Sequence, residues 1–308
     1  MSPAPSPGAG ADSADERAGL DPASDDAVGG VSVGGVWVPA RSFVAGYGGG
    51  AAPDDPDDIA TETVRHGHLG ANFDAGSARL LTKVGLAEGW HVLEVGAGGG
   101  SMARWLSEQV GPDGRVMATD IDLQFVGEQP ANVIVRQHDI AVDKLPAEHF
   151  DLAHARAVLQ HVPAREQALA NMVAATKPGG WVVIEDVDWL VFDAQDLPEP
   201  FATLQRTVRS STTAANGYDG YWGRRMLGAL RDAGLVDVES KGKVVTMHGG
   251  TPSAEWYVLA LERARPAIVE SGVLSADLVD AALAQAREPD FAVLGPLAIS
   301  AWGRRPLA

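Results

Sequence analysis

The chain has 308 residues, 45% of them hydrophobic, enough to bury one large core or two modest ones. It has no cysteine, which excludes disulfides, thiolate-bound zinc, iron–sulfur clusters and thiol catalysis. Its 24 Lys and Arg stand against 41 Asp and Glu, and the formal charge of −17 disfavours nucleic acid and anionic membranes as partners. No apolar run approaches the roughly 18–20 residues of a membrane-spanning helix. Met1 to Ala11 lacks a basic start and an apolar stretch, so a cytoplasmic protein is expected.

Residues 1–58 are rich in Ala, Gly, Pro, Ser and Asp. Such a segment cannot bury enough apolar surface to offset its chain entropy, so it is expected to be disordered or loosely docked. Within it, Asp54-Asp55-Pro56-Asp57-Asp58 reads as a solvated linker, and the ordered domain is expected over 59–308. A helix is expected over 66–84, with Leu69, Phe73, Leu80 and Leu81 on one face. Strands follow at His91–Val95, 116–119, 132–136, 150–154 and 181–185. The helices between them are Ser101–Val110 and 165–176, the second stopped before Lys177-Pro178-Gly179-Gly180. Strands separated by helices in this way imply a parallel sheet covered on both faces, an α/β fold.

Beyond Asp186 the pattern changes. A helix over 221–233, two strands at 236–240 and 244–248, helices over 254–270 and 275–287, and a last strand over 296–304 are expected. The segments near 60–84, 189–222 and 250–292 are extra to the basic sheet and are the expected substrate cap.

The strongest chemical signal is Val92-Leu93-Glu94-Val95-Gly96-Ala97-Gly98-Gly99-Gly100, a strand running into a glycine turn before a helix. Glycines let the backbone turn sharply and approach a ligand closely, and the helix N-terminus offers free N–H groups. A dinucleotide fingerprint would place its third glycine at position 101, which is Ser101. Glu94 would repel a pyrophosphate and suits a ligand carrying an ammonium group. Asp120, ending the second strand, can accept hydrogen bonds from both hydroxyls of a ribose, and Ile121 follows it. His138-Asp139-Ile140 could place an acceptor and an apolar side chain against an adenine. Ala155 and Arg156 fall at the carboxyl edge of the sheet, where ligands of such folds bind.

Glu94-Val95-Gly96-Ala97-Gly98-Gly99-Gly100, Thr119-Asp120-Ile121, Phe150-Asp151-Leu152 with Val158-Leu159-Gln160-His161-Val162, and Lys177-Pro178-Gly179-Gly180 resemble the successive motifs of class I methyltransferases dependent on S-adenosyl-L-methionine (SAM). Within that family they resemble the branch that methylates quinones and other small molecules, while the composition and the closing Ala301-Trp302-Gly303-Arg304-Arg305-Pro306 resemble its actinobacterial type. The resemblance covers about 60–304. It implies a doubly wound, Rossmann-like sheet of seven strands, mostly parallel, with an antiparallel last strand. It also implies SAM as cofactor, held by Glu94, Gly96, Gly98, Asp120, Asp139 and Ala155, with Ala97, Ile121, His138 and Ile140 beside them. The expected reaction is methyl transfer to oxygen or nitrogen, less readily carbon, of a small-molecule acceptor in specialised metabolism. The alternative is a cyclisation or rearrangement on the same fold. No nucleic acid, membrane or metal is expected, and a homodimer is the candidate assembly.

For the acceptor end, His161 is the candidate base, since His titrates near the working pH. His154 is expected to be buried, and His66 and His68 to lie on a helix closing over the cofactor. Asp186 and Asp188 are candidates for binding a cationic acceptor or a metal. Trp189, Phe192, Tyr218, Tyr221 and Trp222 either line an apolar acceptor pocket or pack as core.

Overall fold

The computed structural model describes residues 30–33, 36–39, 55–215 and 217–307. Strands β1 (Gly30–Val33) and β2 (Val36–Pro39) form an antiparallel hairpin. The rest of the expectation for 1–54 lies outside the described residues.

Asp55 starts the first helix, α1 (Pro56–Lys83), ten residues earlier than expected. Its carboxylate accepts the Asp57 N–H at 2.9 Å, Pro56 occupies the first turn, where its missing N–H costs nothing, and Asp57 and Asp58 face the positive end of the helix dipole. What reads as a linker in the acidic run is therefore a capped helix start.

Seven strands form the main sheet in the order β5-β4-β3-β6-β7-β9-β8. They are β3 (His91–Val95), β4 (Arg115–Asp120), β5 (Val133–Gln137), β6 (Phe150–Arg156), β7 (Thr176–Asp188), β8 (Val236–His248) and β9 (Ala292–Arg304). Pairs β3–β4, β4–β5, β3–β6 and β6–β7 are parallel, and β9 runs antiparallel to both β7 and β8. The two strands expected over 236–248 are one strand, β8, with register irregularities near each end rather than a break. Lys177-Pro178-Gly179-Gly180 is a bulge in β7, because pairing jumps from Phe150–Thr176 to Leu152–Trp181. Asp151 staples this end of the sheet: it accepts the His91 N–H at 2.8 Å and the Lys177 ammonium at 2.8 Å.

Alternating side chains divide the core between the two faces. Val92, Leu152 and Val183 pack under α1 and α2 (Ser101–Val110), with Leu81, Leu106 and Val110. Leu93, Ala153 and Val182 pack on the other face with Leu169 and Met172 of α3 (Arg165–Ala175). Both faces are apolar because the central strands are parallel and covered on both sides.

The cap has a core of its own. It is built from α4 (Leu190–Asp193), α5 (Phe201–Ala215), α7 (Pro252–Glu270) and α8 (Ala276–Gln285), around buried Phe192, Phe201, Tyr257, Leu261 and Ile268. Phe201 meets Phe291 edge to face at 5.1 Å, the arrangement aromatic quadrupoles favour. Helix α6 (Met226–Asp232) is shorter than expected, its first turn taken by a 3-10 turn at Gly223–Arg225. No described helix is long and apolar enough to cross a membrane.

Candidate functional site

Strand order reverses between β3 and β6, and there the carboxyl ends of β3, β4, β6 and β7 open onto a cavity of about 1040 Å³. Helix α1 forms one wall with Glu62, Arg65, His66, Leu69 and Phe73, and α7 adds Trp256 and Arg263. These two helices are tied together over the cavity. Asn72 donates to the Pro252 carbonyl at 2.6 Å, Phe73 meets Trp256 edge to face at 6.0 Å, and Arg263 lies 3.3 Å from Glu62.

At one end stands the glycine turn. Gly96 has φ +72°, and a Cβ there would come within 2.1 Å of Val158 Cγ2. Asp120 Oδ2 accepts the Gly98 N–H at 2.8 Å and Oδ1 accepts the Asp122 N–H at 3.1 Å, so this acid also closes the turn. Burial raises Asp120 above the ordinary carboxylate range, with those N–H groups opposing the shift. His66 covers the turn, meeting Phe125 edge to face at 5.1 Å, and burial with the nearby Arg65 charge lowers it to about 4. It is therefore a neutral packing group at pH 7. His68 does not line the cavity.

Of the expected cofactor set, Glu94, Gly96, Ala97, Gly98, Asp120, Ile121, His138, Asp139 and Ile140 all line the cavity. Ala155 does not. Strand β6 continues to Arg156, two residues beyond the expected end, so Ala155 is fully buried in the core and Arg156 and Ala157 form the edge. Asp139 spends one oxygen on the Ala141 N–H at 2.9 Å.

Beneath the glycine turn lies an ionic row across three strands. His154 Nδ1 is 2.6 Å from Glu94 Oε2, and its Nε2 is 3.0 Å from Glu185 Oε1. Glu185 Oε2 accepts the Ser300 hydroxyl at 2.5 Å. Burial alone would strip the proton from His154, but the two carboxylates outweigh it and raise the imidazole to about 9. Burial likewise opposes the charge on Glu185, yet His154 and the hydroxyls hold it at about 2. His154 is thus buried as expected, and charged.

The other end is shaped by Gln160, His161, Asp186, Val187, Trp189 and Tyr218. Asp186 is 4% exposed, and among the described residues neither carboxyl oxygen has a hydrogen-bond partner of good geometry. Burial pushes it well above the usual carboxylate range, and the N–H groups of Gln160 and Val158 and the charge of Arg165 compensate only in part. Asp188, by contrast, is paired with Arg224 and caps Leu190 N–H at 2.9 Å, away from the cavity. Gln160 Oε1 takes the Val187 N–H, which leaves its amide N–H, 3.2 Å away, to face His161 Nε2. Burial, with Arg65 and Arg165 nearby, lowers His161 to about 3, so its ring is neutral, its Nε2 is occupied and it is a weak proton acceptor.

The aromatic set divides. Trp189 and Tyr218 line the cavity, joined by an indole N–H to phenol hydrogen bond of 2.7 Å, while Phe192, Tyr221 and Trp222 do not line it. Trp256, from the expected cap segment 250–292, and Phe125, which no signal in the sequence pointed to, line it as well. No group of three or more His, Asp or Glu among the described residues could hold a metal ion.

A family profile described as "Methyltransferase domain" matches residues 66–239. Methyltransferase str2 of Strobilurus tenacellus is 34% identical over 151 residues, 47% of this chain and 53% of that protein. Methyltransferase str3 of the same organism is 27% identical over 178 residues, 56% of this chain and 62% of that protein. The matches therefore span little more than half the length of these relatives. In fold, the chain is similar to Haemonchus contortus phosphoethanolamine N-methyltransferase 2, solved in complex with S-adenosyl-L-methionine. The TM-score is 0.53 at 15% identity, over 88% of this chain and 60% of that one.

Proposed function

The chain belongs to the methyltransferase-domain family, and on that premise we propose that it is a SAM-dependent enzyme transferring a methyl group to an oxygen or nitrogen of a small-molecule acceptor. One observation carries this reading: a single cavity joins a cofactor-like set of groups to a buried carboxyl that, among the described residues, has no side-chain partner.

The residues present fit SAM. Among the described residues, Glu94 Oε1 accepts nothing, so it is free to meet an ammonium group. Asp120 has two oxygens with lone pairs to spare for ribose hydroxyls, since a carboxylate accepts up to about four bonds. Ile140 supplies an apolar surface beside Asp139 for an adenine. The volume is at the top of the roughly 300–1,000 Å³ typical of ligand sites, as room for a cofactor and a second molecule requires.

Bound SAM supplies an electrophilic methyl carbon on a sulfonium. The protein's share is to align the acceptor in line with that carbon, exclude water and receive a proton. Asp186 is the group placed to receive it, its carboxylate taking the proton of an acceptor O–H or N–H as the new bond to methyl forms. Trp189, Trp256 and Tyr218 give that end an aromatic lining suited to a planar or apolar acceptor.

The test is incubation of the protein with methyl-labelled SAM and fractionated small-molecule extracts. Label transferred to an extractable product, abolished in Asp120→Ala, supports the reading. An unlabelled, rearranged product formed only when SAM is bound contradicts methyl transfer.

A further inference from the structure

The row Glu94–His154–Glu185 has no place in proton uptake from the acceptor, yet it is the most completely buried ionic arrangement at the site. Two carboxylates facing one another across β6 would repel, and a neutral imidazole between them could donate to only one. An imidazolium donates to both. The structure has built around that form: His154 is fully buried, Ser300 holds the outer oxygen of Glu185, and Arg156 alongside donates to Asp74 at 2.7 Å and to the Ser77 hydroxyl at 3.2 Å rather than to either carboxylate of the row. Of the row's four carboxylate oxygens, Glu94 Oε1 is the one with no partner among the described residues, and Glu94 lines the cavity.

We propose that His154 is a positioning residue for the cofactor: as a buried imidazolium anchored on Glu185, it fixes the Glu94 carboxylate so that Oε1 is presented to the ammonium group of SAM. This rests on the SAM reading above. The row carries one net negative charge, two carboxylates against one imidazolium, beneath the place where a doubly cationic ligand portion, ammonium and sulfonium, would lie. His154 keeps its proton to about pH 9, so the clamp holds throughout the neutral range. The charged and hydroxyl groups that set this are Glu94 on β3, Glu185 on β7, Ser300 on β9 and Ser77 on α1.

The test compares two ligands by calorimetry. S-adenosylhomocysteine carries the ammonium group, and 5′-methylthioadenosine shares its nucleoside and sulfur but lacks it. In His154→Gln, loss of an oriented charge-assisted hydrogen bond is expected to weaken S-adenosylhomocysteine by about tenfold or more, and 5′-methylthioadenosine by less than about twofold. Glu185→Gln, which leaves His154 on Glu94 but removes its anchor charge, should show the same selectivity with a smaller effect. Equal weakening of both ligands would make His154 merely structural and overturn the proposal, as would no weakening of either. Should His154→Gln fail to fold, the wild type decides: nitrogen-15 spectra of the imidazole must show both ring nitrogens protonated at pH 8. A neutral ring there overturns the inference. If wild-type protein binds neither ligand, the SAM reading fails instead, and the two failures are distinct.

Discussion

Asp120 Oδ2 accepts the Gly98 N–H at 2.8 Å, so the acid that ends β4 also fastens the turn that ends β3. The residue read from sequence as a ribose acceptor thus has a second role, and its two effects can be separated. Asp120→Asn keeps an acceptor oxygen but loses the charge. Charged hydrogen bonds contribute about 1.5–3 kcal/mol, so SAM affinity is expected to fall roughly 10- to 100-fold; Asn can accept from only one of the Gly98 and Asp122 N–H groups, so the melting temperature falls too, by less than in Asp120→Ala. Asp120→Ala is expected to lower both, as thermal melts without ligand will show.

Gly96→Ala should be among the most damaging single substitutions at the site. Its φ of +72° is unfavourable for alanine, and the added methyl would overlap Val158. The expected result is lost ligand binding together with a destabilisation of about 1–3 kcal/mol, read from urea unfolding. The variant Gly67→Ala, on α1 with open space around its Cβ position, is the control and should be neutral or slightly stabilising.

Asp186→Asn is expected to leave SAM affinity unchanged and to slow methyl transfer by about 10²–10⁴, the usual range for general acid–base catalysis. Because burial raises the wild-type carboxyl, turnover should increase with pH through that raised value, and the increase should vanish in the variant. His161→Ala should have a far smaller effect, since a group lowered to about 3 is a poor base at neutral pH. Rate–pH profiles on an identified acceptor check both statements.

His154, His66, His161 and Glu185 should make stability fall on both the alkaline and the acid side, while the raised Asp186 and Asp120 carboxyls add a loss as pH rises from about 4 through their raised values. His154, raised to about 9 from its ordinary 6.5, contributes fully below pH 6.5 and loses its contribution as pH rises toward 9. At 1.36 kcal/mol per unit this is on the order of 3 kcal/mol. His66 and His161, lowered to about 4 and about 3, contribute above pH 6.5 and progressively less as acid protonates them. Glu185, lowered to about 2 from 4.5, adds its loss below pH 4.5. Denaturant unfolding across pH 4–10 checks the shape, and His154→Gln should flatten the alkaline side.

The cofactor end is legible in the sequence because it is written in consecutive residues. A strand, a glycine turn and an acid at the next strand end each have a local signature, and nine of the ten expected residues line the cavity. Ala155 is the exception by a strand boundary: β6 runs on to Arg156, and a two-residue extension moves Ala155 into the core. The Asp-rich composition before α1 resembles a linker and hides the helix start, although Asp55-Pro56 carries the signal of a capped helix. The row Glu94–His154–Glu185 has no sequence signature, since it depends on the register of three strands. Trp256 and Arg263 reach the cavity only because α7 packs over α1, a consequence of the cap's own core.

Whether this cavity takes SAM is decided by calorimetry of the wild-type protein. One-to-one binding of SAM and S-adenosylhomocysteine at micromolar affinity, with no heat from NAD, is the predicted result. Saturable binding of NAD with neither of the other two would contradict it.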